Sequence, residues 1–145
     1  MTKPAPASNL PLPLLGGCLC GGVRYQVTGA PRAVYLCHCK DCQRRTGSAF
    51  AMAMLVKAAD FALLEGQPIT RQTPKPDGEH STQHYCEACL VRTHTTFSKR
   101  PHLVSVRPGT LDEPSLVSPT HQLWTKSAQP WAADFALDSF EGNPE

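Results

Sequence analysis

Apolar and polar positions alternate through Val23-Arg24-Tyr25-Gln26-Val27, the pattern of a strand with one buried face. Gly29, Ala30 and Pro31 then predict a turn, and Ala33 to Cys37 a second strand. Ala49 to Val56 is apolar throughout, which predicts a buried strand or a short helix. Ile69 to Thr73, Ser81 to Tyr85, Arg92 to Phe97 and Leu103 to Val106 read as further short strands. Fourteen prolines and ten glycines punctuate these runs at intervals typical of all-β folds. Helical signals are scarce: one turn around Asp41 to Arg45 and a second candidate over Asp60 to Leu64. The expectation is a mainly β chain of antiparallel sheets with little helix, no repeats and no second domain.

Composition adds bounds. At 145 residues the chain can bury a core of its own as one domain. Its 41% hydrophobic and 18% charged residues are those of an ordinary globular protein. The net charge of +2 implies no polyanion partner, so nucleic acid is not expected. From Pro108 onward Lys126 is the single base, against six acids from Asp112 to Glu145, while Lys40, Arg44, Arg45, Lys99 and Arg100 lie earlier. The opening MTKPAPASNLPLPLLGG is broken by Pro11 and Pro13, so it lacks the continuous apolar centre of a signal peptide. No apolar run approaches the ~20 residues of a membrane span. Residues 1–15 therefore read as a Pro-rich extended leader to a single domain over 16–145. The expected compartment is the cytoplasm, where thiols stay reduced.

The cysteines carry the chemistry. Seven fall into three groups: C-x-C at Cys18 and Cys20, C-x-C-x-x-C at Cys37, Cys39 and Cys42, and C-x-x-C at Cys86 and Cys89. An odd, clustered set in a reducing compartment suits metal rather than disulfides. Zinc takes four tetrahedral ligands, with Zn–S near ~2.3 Å. The two pairs can close a four-cysteine structural site, and the triplet then makes a three-cysteine site with one corner open, the form of many catalytic zinc sites. The layout supports this division: one pair precedes the first predicted strand and the other lies between two later strands. Two alternatives stay open. Cys86 and Cys89 could be a redox pair, or the triplet could close on a histidine, with His38, His84, His94 and His121 as candidates. His38 lies between two ligands and in extended backbone points away from them.

Four segments, GGCLCGGVRYQV (16–27), CHCKDCQRRTGSAF (37–50 with its leading Cys37), HYCEAC (84–89) and PGTLDEP (108–114), carry a resemblance. HQLW at 121–124, PW at 130–131 and an acidic ending around Leu137 to Glu141 extend it. The chain resembles the glutathione-dependent formaldehyde-activating enzyme family, whose domain is shared with centromere protein V. The resemblance implies a β-tent fold, a structural zinc on Cys18, Cys20, Cys86 and Cys89, and a second, exchangeable zinc on Cys37, Cys39 and Cys42. It further implies a carbon–sulfur lyase that joins glutathione to formaldehyde. One position departs from the pattern: where the family, like most zinc knuckles, has Gly after the second cysteine of C-x-x-C, this chain has Leu90. A left-handed backbone there strains a residue with a Cβ by roughly 1–2 kcal/mol.

Zinc bound by three thiolates carries a net negative charge and activates water poorly. An incoming thiol is the better fourth ligand, because bound zinc deprotonates it and the thiolate attacks an aldehyde. Glutathione brings carboxylates. Arg44 and Arg45 could pair with one of them, and Thr46, Gly47 and Ser48 could offer backbone N–H groups; the plainer reading makes the arginines surface charges and Gly47 a turn. A zinc-stapled binding module without turnover, or an enzyme acting on another thiol adduct, are the competing readings.

Overall fold

The computed structural model describes residues 9–133 together with 137 and 141. Most of the leader and of the acidic ending expected around Leu137 to Glu141 lies outside the described residues. Among the described residues ten strands run in chain order: β1 (Leu14–Gly17), β2 (Arg24–Val27), β3 (Ala33–Cys37), β4 (Ala51–Lys57), β5 (Phe61–Glu65), β6 (Ile69–Pro74), β7 (His80–Tyr85), β8 (Arg92–Phe97), β9 (Leu103–Val106) and β10 (His121–Leu123). The single α-helix among the described residues, α1 (Lys40–Thr46), follows β3. The chain is mainly β, with one three-stranded sheet in the order β1-β2-β5 and one seven-stranded sheet in the order β10-β3-β4-β9-β8-β7-β6. All pairings are antiparallel except that of β10 with β3.

The core fills the space between the sheets. Leu14, Tyr25 and Val27 from the small sheet meet Val34, Met54, Val56, Val104 and Val106 from the large one. These are the inward positions of the period-two pattern, and each fully buried side chain stabilises by roughly 1.5–3 kcal/mol. Tyr25 has no exposed surface, and its hydroxyl meets the Thr110 hydroxyl at 2.7 Å. Gly16 lies against that ring: a Cβ there would stand 2.4 Å from the Tyr25 oxygen and 2.6 Å from the Thr110 carbonyl oxygen. Arg24 holds Asp112 with two hydrogen bonds, 2.8 and 2.5 Å.

Two expectations change. Asp60 to Leu64 is not helical: a 3-10 turn at Ala58–Asp60 leads into strand β5, which pairs with β2. Phe61 stacks on Tyr25 at 5.5 Å between ring centres, and the sheet edge offered by β2 overrides a weak local helical signal. The chain also becomes regular within the leader, because Leu14 begins β1 and is buried. Pro11 and Pro13 hide so short a strand from a reading by composition. The strand β10 likewise lay in a segment noted only for its resemblance.

Candidate metal centre and ligand site

The first cysteine group is assembled across the chain. Cys18 and Cys20 leave β1, Cys86 and Cys89 leave β7, and the four Sγ atoms lie within 4.8 Å of one another. Cys18 to Cys20 and Cys20 to Cys86 are each 3.6 Å, close to the ~3.8 Å that a tetrahedron with Zn–S near ~2.3 Å requires. Val23 and Val91 pack around Cys18, Cys86 and Cys89 as an apolar shell. Backbone amides aim at the sulfurs. Val23 N–H donates to Cys18 Sγ at 3.2 Å, Gly22 N–H to Cys20, and Val91 N–H to Cys89. That last bond is the leading cause that holds the Cys89 thiol down at about 6.

The two arms of this cluster repeat one turn. In the first, Gly21 has φ of 81° between Cys20 and the donating amide of Gly22. In the second, Leu90 has φ of 61° between Cys89 and the donating amide of Val91. Leu90 N–H also donates to Cys86 O at 2.8 Å, and Cys86 N–H to Val91 O at 3.0 Å. The departure noted in the sequence thus falls on a left-handed position, and Leu90 meets it with its side chain largely in solvent.

The second group is local. Strand β3 delivers Cys37, Cys39 caps α1 by accepting from Cys42 N–H at 3.3 Å, and Cys42 lies in the first turn. Their three Sγ atoms also fall within 4.8 Å of one another, with no histidine or carboxylate joining them among the described residues. All three are half-buried. Burial, and after it the sulfurs of Cys39 and Cys37, pushes the Cys42 thiol up to about 12, so crowded thiols here favour a cation among them. The candidate histidines go elsewhere. His38 is buried and its Nε2 meets Gln122 Oε1 at 2.7 Å, while Nδ1 has no hydrogen-bond partner among the described residues. His94 stacks on His84 at 4.1 Å, and burial, with His84 behind it, drives it down to about 3. His121 stacks on Tyr35.

Glutamines bind the triplet to the tail. Gln43 Nε2 donates to His38 O at 2.7 Å and Ser127 O at 2.9 Å, and Gln129 donates to Gln43 Oε1 at 2.8 Å. Leu123 of β10 lies opposite Cys37 of β3. Arg44, Arg45, Thr46, Gly47 and Ser48 are exposed at the end of α1. The amides of Gly47 and Ser48 are spent on Gln43 O, closing the helix, and the Thr46 hydroxyl donates to Cys42 O at 2.9 Å.

Two residues that motif spacing did not pick out also face this region. Arg107 follows Val106, so alternation turns it to the face opposite the core, where it reaches the Met52 carbonyl at 3.4 Å. Arg92 is fixed by two donations to Thr95 Oγ1, at 3.2 and 2.7 Å. Each feels the charge of the other cluster members: Arg92 feels Arg107, Tyr85, Arg45 and Cys42, and Arg107 feels Cys42, Tyr85, Arg45 and Tyr35. Burial first, then Arg107, brings Arg92 down to about 10. No local signal in the sequence marked them, since Arg92 opens the polar strand β8 and Arg107 only follows β9.

Comparison with known proteins gives a family and a fold. The family model described as glutathione-dependent formaldehyde-activating enzyme matches residues 13–127. A crystal structure of a Rhodobacter sphaeroides protein, a structural genomics target, superposes with a TM-score of 0.55 at 20% identity, covering 75% of this chain and 99% of that one.

Proposed function

The chain belongs to the glutathione-dependent formaldehyde-activating enzyme family, and on that premise we propose that it joins a small thiol such as glutathione to formaldehyde or a related small aldehyde. The reaction class is carbon–sulfur lyase, the partners are small molecules rather than nucleic acid, and the compartment is the reducing cytoplasm. No helix among the described residues is long and apolar enough to cross a membrane.

One observation carries the reading: a half-buried set of three sulfurs gathered within 4.8 Å, with no fourth protein ligand among the described residues, in a chain that also gathers a complete set of four. The donor chemistry of both sets fits zinc. Cys18, Cys20, Cys86 and Cys89 would hold a structural ion, and Cys37, Cys39 and Cys42 a second ion with a free corner. When bound there, zinc supplies a soft position at which a thiol loses its proton. The chain's own groups do the rest. Cys39 is oriented by its capping bond from Cys42 N–H, and Gln43 ties the triplet's backbone to the tail. Arg44 and Arg45, exposed at the end of α1 that carries Cys42, would meet a carboxylate of the thiol.

The test mixes the zinc-loaded protein with glutathione and formaldehyde and follows adduct formation against the spontaneous rate. Acceleration that disappears in Cys39→Ser supports the activity. Thiol binding without acceleration would leave a thiol-binding site and remove the enzyme.

A further inference from the structure

We propose that Arg92 and Arg107, rather than the exposed pair at the end of α1, form the main carboxylate-recognition subsite for the ligand of the three-cysteine centre. This rests on the reading of that centre as a thiol site.

Two guanidinium groups have no anionic partner among the described residues. Among the described residues the side-chain ion pairs are Arg24 with Asp112, and Lys75 and Arg100 with Glu79. Arg92 and Arg107 take part in none of them. Both are half-buried, and their hydrogen bonds go to neutral oxygens, the Thr95 hydroxyl and the Met52 carbonyl. Removing a guanidinium from water is costly unless an anion compensates. Two of them near each other raise that cost by mutual repulsion, and Arg45 adds a third positive charge within reach.

The cysteine centre cannot balance them alone. A divalent ion on three thiolates carries one net negative charge, against three guanidinium groups. Two positive charges remain in excess at a half-open face, which matches a ligand bearing carboxylates. The register places them well. Arg107 follows β9, adjacent to β4, whose Ala51 pairs with Cys37. Arg92 pairs with Tyr85 at the far side of β8. Between Arg107 and Tyr35 the outward position on β4 is small, Ala53, which pairs with Tyr35, and the sheet order puts Tyr35 on β3 and Tyr85 on β7 to either side of the arginines. An extended ligand laid across this face would bring its thiol to the sulfurs and a carboxylate to the guanidiniums. Arginine suits this because its planar fork matches a carboxylate in two hydrogen bonds. Each is also held before the ligand arrives, which lowers the ordering cost of binding.

The experiment titrates three probes into full-length, zinc-loaded protein by calorimetry. S-Methylglutathione keeps both carboxylates but blocks the thiol. 2-Mercaptoethanol keeps a thiol and has no carboxylate. Glutathione diethyl ester keeps the thiol and masks both carboxylates. Arg92→Gln and Arg107→Gln should each weaken S-methylglutathione about tenfold or more, as expected for loss of a charge-assisted bond, and leave 2-mercaptoethanol within about twofold. In wild type the diethyl ester should bind about tenfold or more weaker than glutathione, a comparison that stands even if a variant does not fold. Equal affinity of the ester and glutathione, or S-methylglutathione binding unchanged in both variants, would overturn the subsite. Failure of 2-mercaptoethanol to bind, with the arginine dependence of S-methylglutathione intact, would instead overturn the thiol reading of the cysteine centre and keep the carboxylate subsite.

Discussion

Replacing Leu90 by glycine should cost the protein little, and replacing it by alanine should cost more. The reason is the φ of 61° at residue 90. An L-residue in the left-handed region is strained by roughly 1–2 kcal/mol, and glycine is not. Glycine loses about 0.4–1 kcal/mol through the greater freedom of the unfolded chain. The Leu90 side chain is 66% exposed, so either substitution forfeits only the buried third of it, on the order of 0.5–1 kcal/mol. That loss is common to Ala and Gly and cancels between them. What remains is strain relief less chain entropy, which puts Leu90→Gly about 0.5–1 kcal/mol above Leu90→Ala, and within about 1 kcal/mol of wild type. Leu90→Asn should fall between the two, since Asn tolerates this backbone. The assay is denaturant unfolding of zinc-loaded protein at one fixed free-zinc concentration, because bound metal contributes directly to the measured stability. On heating, the same difference is a shift of about 2–4 °C. At an ordinary position with negative φ the order reverses. An alanine variant as stable as the glycine variant, or more so, would therefore refute the assignment of residue 90 to the glycine position of a knuckle, the one that Gly21 fills in the other arm.

Zinc removal should occur in two steps: mild chelation takes one equivalent from the three-cysteine site while circular dichroism stays native, and stronger chelation unfolds the chain. Loss of both equivalents together would contradict two distinct sites. Cys18→Ser or Cys86→Ser should sharply lower melting or abolish soluble protein, whereas Cys39→Ser should fold and bind thiols poorly, as scored by melting curves and calorimetry. Gly16→Ala should destabilise by about 1–3 kcal/mol, because its Cβ meets the Tyr25 ring and the Thr110 carbonyl at once; denaturant midpoints check it. Glu79 is held down at about 2 by its hydrogen bonds to Arg100, helped by Lys75. A carboxyl depressed in the folded state stabilises above its unfolded value near 4.5, and that contribution fades as pH falls from there toward about 2. Melting temperatures of Glu79→Gln should accordingly vary less over that acid window than those of wild type.

The strands over Ala33 to Cys37 and Arg92 to Phe97 were legible because β-branched or aromatic residues fill them and a proline turn lies on one side, Pro31 before the first and Pro101 after the second. The cysteine groups were legible because ligand spacing is a local property of a turn, and both sets do converge in space. The strand β5 was not. Leu63 and Leu64 are 42% and 50% exposed, so no alternation marks it, and its state is fixed by the free edge of β2. Arg92 and Arg107 were invisible for a related reason. Fifteen positions part them in sequence, and they approach one another only through the order β9-β8-β7 within the large sheet. A local pattern cannot encode which strands become neighbours. His38 was legible in part: it sits between two cysteines and turns away from them as extended backbone requires, but its partner Gln122, 84 residues away in sequence, was not.

The four-cysteine cluster joins positions far apart along the chain, and this shapes how the protein can be made. Cys18, Cys20, Cys37, Cys39 and Cys42 leave the ribosome close together, and Cys86 emerges 44 residues later. At about 5–20 residues per second this leaves an interval of roughly 2–9 s. During it, five thiols face available zinc without the two partners that complete the proper set. Cys18 and Cys20 with any two of the triplet would satisfy a tetrahedral ion just as well in chemical terms. Such a mis-chelated intermediate would hold the first strands in the wrong relation until ligands exchange. Correct assembly is then a competition between ligand exchange and translation, and metal supplied early in synthesis should yield less active protein than metal supplied once the chain is finished.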